Sequence, residues 1–136
     1  MSKLLVNIDV DDLDRATRFY GGAFGLAVGR RFGSFGVEML GASARIYLLA
    51  KPAGSAPFPD APRPRDYARH WTPVHLDFVV DDIEGALRRA EAAGATVEGE
   101  PRSHDWGRIV QLADPFGHGI CLIEFRGRGY DEIATA

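Results

Sequence analysis

The 136-residue chain has one cysteine, Cys121, and no apolar run close to the length of a membrane span. A lone cysteine cannot form an internal disulfide, so a secreted, disulfide-bonded protein is not favoured. A membrane helix needs about 20 consecutive apolar residues, and the N-terminal residues become polar too early for a signal peptide. We therefore expect a cytoplasmic protein with no membrane partner.

An excess of positive charge is also absent. The formal net charge is −3, so the chain has no general attraction for phosphate backbones, and we expect no nucleic-acid partner. With 46% hydrophobic and 26% charged residues, the composition is that of an ordinary globular protein. The length suits one domain or two small fused modules.

The first 50 residues have the pattern of a strand, a helix and three further strands. Residues 4–10 alternate between apolar and polar side chains, and the polar face of this strand carries Asn7 and Asp9. A pair of aspartates then precedes an amphipathic segment that ends at Gly25, as expected of a capped helix. Three strand-forming segments separated by short turns follow, at 27–32, 35–40 and 44–50.

The same order begins again at residue 74. The strand-like segment 74–80 places His75 and Asp77 on its polar face, and a second aspartate pair precedes a helix that ends at Gly94. A further strand is predicted over 95–100. Because repeated units usually complete one another's core, this duplication indicates two structurally equivalent modules.

A hairpin is predicted at the end of the second module, around the turn Asp114-Pro115-Phe116-Gly117. Proline fixes φ at the first corner of this turn, and glycine accepts a positive φ. Alternation in the strand 120–125 separates Cys121 from Glu124, which we expect on the helix side of the strand or facing a partner chain. We expect His118, beside the turn, to face solvent.

These patterns divide the chain into a first module (1–51), a proline-rich crossover (52–73) and a second module with a C-terminal tail (74–136). Each module reads βαβββ, so we predict an α+β fold in which two mixed sheets form a cup with the helices outside. Asn7, Asp9, His75 and Asp77 would then line the inner face of the cup. The crossover carries a candidate lid for it, formed by Tyr67, Arg69 and Trp71.

The repeated strand-Asp-Asp-Leu/Ile-helix unit, together with the turn 114–118, resembles the vicinal oxygen chelate superfamily of glyoxalase I, bleomycin-resistance and extradiol dioxygenase-like proteins. This resemblance implies paired βαβββ modules, a cup that often holds a divalent metal, and a homodimer. The metal-ligand positions of the family correspond here to Asn7, Tyr47, His75 and Cys121.

Only His75 among these four residues is a usual ligand in this family. Hard divalent cations prefer oxygen ligands, which this set does not supply in sufficient number. Zinc accepts imidazole and thiolate, so His75 and Cys121 would be the ligands if a metal were bound, with a third from Asp77, Tyr47 or a partner chain. We expect no metal cofactor.

Two functions remain open at this point. The first is a protein that binds a small organic molecule in a sheet-lined cavity without a catalytic metal. The second is a metal-dependent lyase, isomerase or dioxygenase with an unusual ligand set. The sequence predicts no catalytic residues, and unpaired sheet edges favour a homodimer. The expected cavity residues are Asn7, Asp9, Tyr47, His75, Asp77 and Cys121.

Overall fold

The structure, a computed structural model, describes all residues 1–136. The first module consists of β1 (Leu5–Val10), α1 (Leu13–Phe24), β2 (Ala27–Phe32), β3 (Gly36–Leu40) and β4 (Arg45–Ala50). The second module consists of β5 (Leu76–Val79), α2 (Ile83–Ala93), β6 (Thr96–Val97), β7 (Arg102–His104), β8 (Gly107–Ala113) and β9 (Gly119–Phe125). A short 3₁₀-helix, Gly129–Glu132, follows near the C-terminus.

Each module contains one mixed sheet with the same topology. The first sheet has the order β1-β4-β3-β2, and the second has the order β5-β9-β8-β6, with β7 also paired to β8. In both sheets the first strand pairs in parallel with the last, and the remaining pairs are antiparallel. The α+β fold with two mixed sheets is confirmed, and its topology follows from the strand-helix-meander order of each repeat.

Each helix begins after the second aspartate of its predicted pair and ends before the predicted glycine. The side chain of Asp12 accepts a hydrogen bond from the backbone N–H of Arg15 at the start of α1, and Asp82 does the same for α2. Gly25 and Gly94 follow the two helices with positive φ, which glycine adopts at little cost. Neither helix is long and apolar enough to cross a membrane.

The two modules share one hydrophobic core on the helix side of the sheets. The helices contact each other, and the ring of Phe24 on α1 stacks on Phe78 of β5 with a centroid separation of 3.8 Å. Phe19 and Leu122, from different modules, belong to the same buried cluster. The opposite face of each sheet, which we call the open face, carries the polar residues of β1 and β5.

Two strands are shorter than the sequence suggests. The strand expected over 74–80 is β5, which covers only Leu76–Val79, so His75 lies just before it. A strand was expected over 95–100, but β6 covers only Thr96–Val97. The chain turns at Gly99, whose φ is +125°, and resumes pairing only at β7 after Pro101. A proline cannot donate a ladder hydrogen bond, so an uninterrupted strand across this segment is not available.

Candidate functional site

A cavity of about 370 Å³ lies between β1 of the first module and the start of β5 in the second. Three of the six predicted cavity residues, Asn7, Asp9 and His75, line it. His70 of the crossover and His118 of the last hairpin complete part of the wall. Residues of both modules and of the crossover that joins them therefore line the cavity.

A second hollow of about 240 Å³ lies on the first sheet. It is lined mainly by apolar side chains, including Phe32 and Phe35, and also by Tyr47. Asn7 lines both this hollow and the cavity, and it lies directly opposite Tyr47 in the pairing of β1 with β4. The two hollows therefore meet at Asn7.

Tyr47 is hydrogen-bonded to a buried carboxylate that the sequence did not single out. Its hydroxyl donates to Oε2 of Glu38 at 2.9 Å, and Nη2 of Arg30 donates to the same oxygen at 2.6 Å. Glu38 is only 4% exposed. The hydrogen bonds from Arg30 lower the pKa of Glu38 to about 2. The carboxylate of Glu38 therefore stays charged and accepts the hydrogen of the Tyr47 hydroxyl. This hydrogen bond keeps the phenol from acting as a metal ligand.

This lowered pKa predicts how stability changes in acid. The contribution of a carboxylate with a depressed folded-state pKa is complete above the unfolded pKa, here about 4.5, and is lost as pH falls through the folded value, about 2. We expect E38Q to show a shallower loss of unfolding free energy between these pH values in urea titrations. E100Q, at an exposed glutamate, is the control. An unchanged slope in E38Q would contradict this interpretation.

The residues predicted as possible zinc ligands, His75, Asp77 and Cys121, lie close together. Nε2 of His75 lies 3.2 Å from Oδ1 of Asp77, and one ligand atom from each of the three residues falls within 4.8 Å of the others. Cys121 is buried opposite Asp77 in the sheet. Burial, followed by the charge of Asp77, raises the pKa of the thiol to about 11. The thiol is therefore protonated at neutral pH and is a poor nucleophile.

The resemblance to the vicinal oxygen chelate superfamily implies a divalent metal held by residues at positions 7, 47, 75 and 121. Asn7 offers only a neutral amide oxygen, Cys121 offers a soft sulfur, and the phenol of Tyr47 is held by Glu38, so these positions supply no carboxylate to a hard divalent cation. These positions do not fit Mg²⁺, Mn²⁺ or Fe²⁺. The group of His75, Asp77 and Cys121 has the ligand types that zinc accepts, but zinc would have to displace the thiol proton.

Asp9 is held by an arginine from the crossover. Nε of Arg65 donates to Oδ2 of Asp9 at 2.8 Å, and Nη1 of Arg65 donates to the carbonyl oxygen of Ala56 at 2.9 Å. The arginine side chain is largely buried. This ion pair neutralises the charge of the Asp9 carboxylate and links the crossover to β1.

The candidate lid residues make contacts of three different kinds. The hydroxyl of Tyr67 donates to the carbonyl oxygen of Lys51, and the guanidinium of Arg69 donates to Glu98 at 2.7 Å. The ring of Trp71 lies 4.5 Å from that of His75, measured between centroids. Only Trp71 among the three therefore contacts a predicted cavity residue, and a lid function for the segment stays a prediction.

His118 does not face solvent, contrary to the expectation from its place beside a turn. It is partly buried, and its Nε2 lies 2.7 Å from the carbonyl oxygen of Asp9. Its Nδ1 lies 2.9 Å from Nε2 of His70. The reason is that residues 70 and 118 form a parallel β-bridge, which brings the crossover against the hairpin. No local pattern marks this contact, because it joins residues 48 positions apart.

Asp114 holds the hairpin turn and was predicted only as a turn residue. Its Oδ1 accepts hydrogen bonds from the backbone N–H groups of Phe116 and His118, and its Oδ2 accepts from the hydroxyl of Tyr20 at 2.7 Å. Burial, reinforced by the charge of Asp114, raises the pKa of Tyr20 well above its ordinary value. This buried contact ties α1 of the first module to the hairpin of the second.

Comparison with known proteins identifies the family. Residues 5–123 match the model of the glyoxalase-like domain. The chain belongs to the glyoxalase-like domain family. This assignment confirms the resemblance to the vicinal oxygen chelate superfamily.

Among curated relatives, this glyoxalase-like chain is 38% identical over 65 residues to the anthracycline biosynthesis protein DnrV of Streptomyces peucetius. The match covers 48% of this chain and 22% of DnrV. The chain thus spans less than a quarter of the length of that relative. The similarity is therefore a similarity of one segment, and it does not establish a shared activity of the whole proteins.

Two solved structures illustrate the shared fold. A mutant of FosX, the fosfomycin resistance protein of Listeria monocytogenes, was solved in complex with Mn(II) and a dihydroxypropylphosphonic acid. It has a TM-score of 0.69 at 21% identity, and the alignment covers 90% of each chain. TnmS3, an antibiotic binding protein from Streptomyces sp. CB03234, has a TM-score of 0.65 at 24% identity, covering 93% of this chain and 97% of its own. At these identities the likeness concerns the fold alone.

Proposed function

We propose that this glyoxalase-like protein binds a small organic molecule in the cavity between its two modules and in the adjoining hollow on the first sheet, without a catalytic metal. The observation that carries this proposal is the meeting of two hollows at Asn7, one of about 370 Å³ and one of about 240 Å³. Small-molecule sites usually occupy about 300 to 1,000 Å³. The combined space is therefore of the size that such a ligand requires.

The chemistry of the two hollows supports a ligand with one apolar end and one polar end. Phe32 and Phe35 offer apolar surface on the first sheet, whereas Asn7 and His75 offer polar groups between the modules. Aromatic side chains bury flat apolar groups well, and a few polar groups then fix the orientation. The names of DnrV and TnmS3, which concern anthracycline biosynthesis and antibiotic binding, support an antibiotic-like organic compound as the ligand class.

Metal-free binding follows from the donor chemistry of the site. The positions that would hold a hard cation carry an amide, an occupied phenol and a protonated thiol beside His75. The proposed roles of the residues are therefore contact and orientation. The proposed ligand contacts are the predicted residues that line the two hollows, Asn7, Asp9, Tyr47 and His75, whereas Asp77 and Cys121 line neither hollow. We also propose that the chain divides into two modules and a crossover, that it forms a homodimer, and that it is cytoplasmic.

A metal-dependent lyase, isomerase or dioxygenase is the second candidate. It is favoured by one observation, the convergence of His75, Asp77 and Cys121 within 4.8 Å, and FosX offers a relative by fold that was solved with Mn(II). Near-stoichiometric zinc or iron in protein purified without chelator would support this candidate and contradict metal-free binding.

The variant N7F tests the proposed site. A thermal-shift screen of small aromatic and anionic compounds first identifies ligands that raise the melting temperature of the wild type. Phenylalanine at position 7 would project into both hollows, so we expect affinity for these compounds to fall at least about tenfold, which is roughly 1.4 kcal/mol. Because Asn7 is exposed on the open face, folding should be retained.

T96F is the matched control for N7F, because Thr96 is also an exposed strand residue but lies outside both hollows. Its affinity should equal that of the wild type. Binding that survives in N7F, or that is lost equally in T96F, would place the ligand elsewhere.

A further inference from the structure

Four ring nitrogens of His70 and His118 form a chain between two backbone carbonyl oxygens. Nε2 of His118 lies 2.7 Å from the oxygen of Asp9, and Nδ1 of His70 lies 2.9 Å from the oxygen of Ala68. The two rings meet through Nδ1 of His118 and Nε2 of His70, which are 2.9 Å apart. All three separations are hydrogen-bond distances. We call these two residues the histidine pair.

The number of hydrogens in this chain can be counted. A carbonyl oxygen only accepts, so the outer nitrogen of each ring has to carry a hydrogen. Two neutral imidazoles carry two ring N–H hydrogens in total, and both are used at the ends. The contact between the rings then requires a third hydrogen, because two lone pairs would otherwise face each other at 2.9 Å.

We propose that the histidine pair holds one proton more than two neutral imidazoles, and that this positive charge lets the adjoining cavity accept a ligand bearing a carboxylate or similar acidic group. Both histidines line the cavity between β1 and β5. The amide of Asn7 lines the same cavity and can donate a hydrogen bond to an anion. This inference rests on the proposed function, since it specifies the ligand of that site.

The charged groups around the histidine pair favour the extra proton. From the hairpin, the buried carboxylate of Asp114 accepts from the backbone N–H of His118. From β1, Asp9 is neutralised by Arg65 at 2.8 Å, and in the crossover Arg69 is paired with Glu98. The Asp114 carboxylate is therefore in direct contact with the backbone of His118, and a negative charge beside the pair stabilises a cation.

The remaining titratable groups near the pair come from α1, the crossover and β5. Burial raises the pKa of Tyr20 and of Tyr67, so both phenols stay neutral in the working range of pH. His75 also lines the cavity, and its Nε2 lies 3.2 Å from Oδ1 of Asp77. Asp9 is the one carboxylate that lines the cavity, and Arg65 neutralises it, so the extra proton gives the cavity a positive charge that an acidic ligand can pair with.

Nuclear magnetic resonance of the free protein tests the proton count without any ligand. In long-range ¹H–¹⁵N spectra of wild-type protein at pH 7, we expect three ring hydrogens on the histidine pair, with one of them bridging the rings. The bridging signal should disappear in H70Q and remain in H104Q, because His104 is exposed and lies outside the cavity. Two ring hydrogens on the pair would overturn the inference.

Binding of benzoate and benzamide tests the consequence for the ligand. These probes have similar shapes but differ in charge. Between pH 8.5 and pH 5.5, a range that spans ordinary imidazole titration, the affinity for benzoate should rise about fivefold, as expected for one added charge near a partly screened site. The affinity for benzamide should stay constant.

The histidine variants show whether the rise in benzoate affinity comes from the histidine pair or from protonation of His75. The rise for benzoate should be lost in H70Q and retained in H104Q. A full rise in H70Q, or no binding of benzoate at either pH, would overturn the inference about acidic ligands. If neutral compounds bind at the site and N7F abolishes that binding, the proposed function stands even when the benzoate result is negative.

Discussion

The variant D114A is expected to lose about 4 kcal/mol of unfolding free energy. Three hydrogen bonds end on the Asp114 carboxylate, from the hydroxyl of Tyr20 and the backbone N–H groups of Phe116 and His118. Asp114 is 4% exposed and Tyr20 is fully buried. Removing the acceptor would leave buried donors without partners, and each such group costs about 1 to 3 kcal/mol. Urea denaturation of wild type and variant measures the difference.

D114N is the matched control for this loss. Asparagine has nearly the same shape and keeps one oxygen for the two backbone donors of Phe116 and His118. Its amide N–H₂ can donate to the oxygen of Tyr20, so most of the polar contacts persist. We expect a loss of about 1 to 2 kcal/mol. If D114A is as stable as D114N, the contacts of Asp114 do not hold the two modules together.

The variant G117A is expected to lose about 3 kcal/mol and to detach the crossover from the last hairpin. A Cβ atom at Gly117 would lie 2.3 Å from the carbonyl oxygen of Ala68 and 2.8 Å from that of Tyr67. Both contacts are with backbone, which cannot rotate away. The φ of +81° adds conformational strain for alanine. Thermal unfolding gives the stability, and hydrogen exchange of residues 65–72 gives the detachment.

G54A separates the clash from the strain. Gly54 also has a positive φ, +84°, and lies in the same crossover, but nothing lies within 4 Å of the Cβ position. Its replacement should cost about 1 kcal/mol and leave the exchange of residues 65–72 unchanged. Equal losses in G54A and G117A would mean that the close approach of the crossover to the hairpin contributes little.

The fold could be predicted from the sequence because its signals are local and occur twice. Each module has an alternating first strand, an aspartate before the helix and a glycine after it. Asp12 and Asp82 cap the helices because their side chains reach a backbone N–H only three residues ahead. Such signals do not depend on distant parts of the chain, which explains why the element order could be read directly.

The site was harder to predict because its decisive contacts are long-range. The alternation in segments 4–10 and 74–80 of the sequence identified Asn7 and His75, which line the cavity. It could not identify Glu38, whose burial depends on Arg30 and Tyr47 from neighbouring strands. It also missed His70, because the crossover has no periodicity that would reveal a bridge to the hairpin. These residues became visible only when the strands were paired.

The central claim is that this glyoxalase-like protein binds an organic ligand in the two hollows that meet at Asn7, without a metal. Its most direct test is the affinity of the wild type for a compound from the thermal-shift screen, measured by calorimetry on metal-analysed protein with and without EDTA. Metal-free binding predicts that the affinity is the same in both conditions, that bound metal is far below one equivalent, and that N7F lowers the affinity at least about tenfold. Loss of binding in EDTA, restored by zinc or manganese, would contradict the claim.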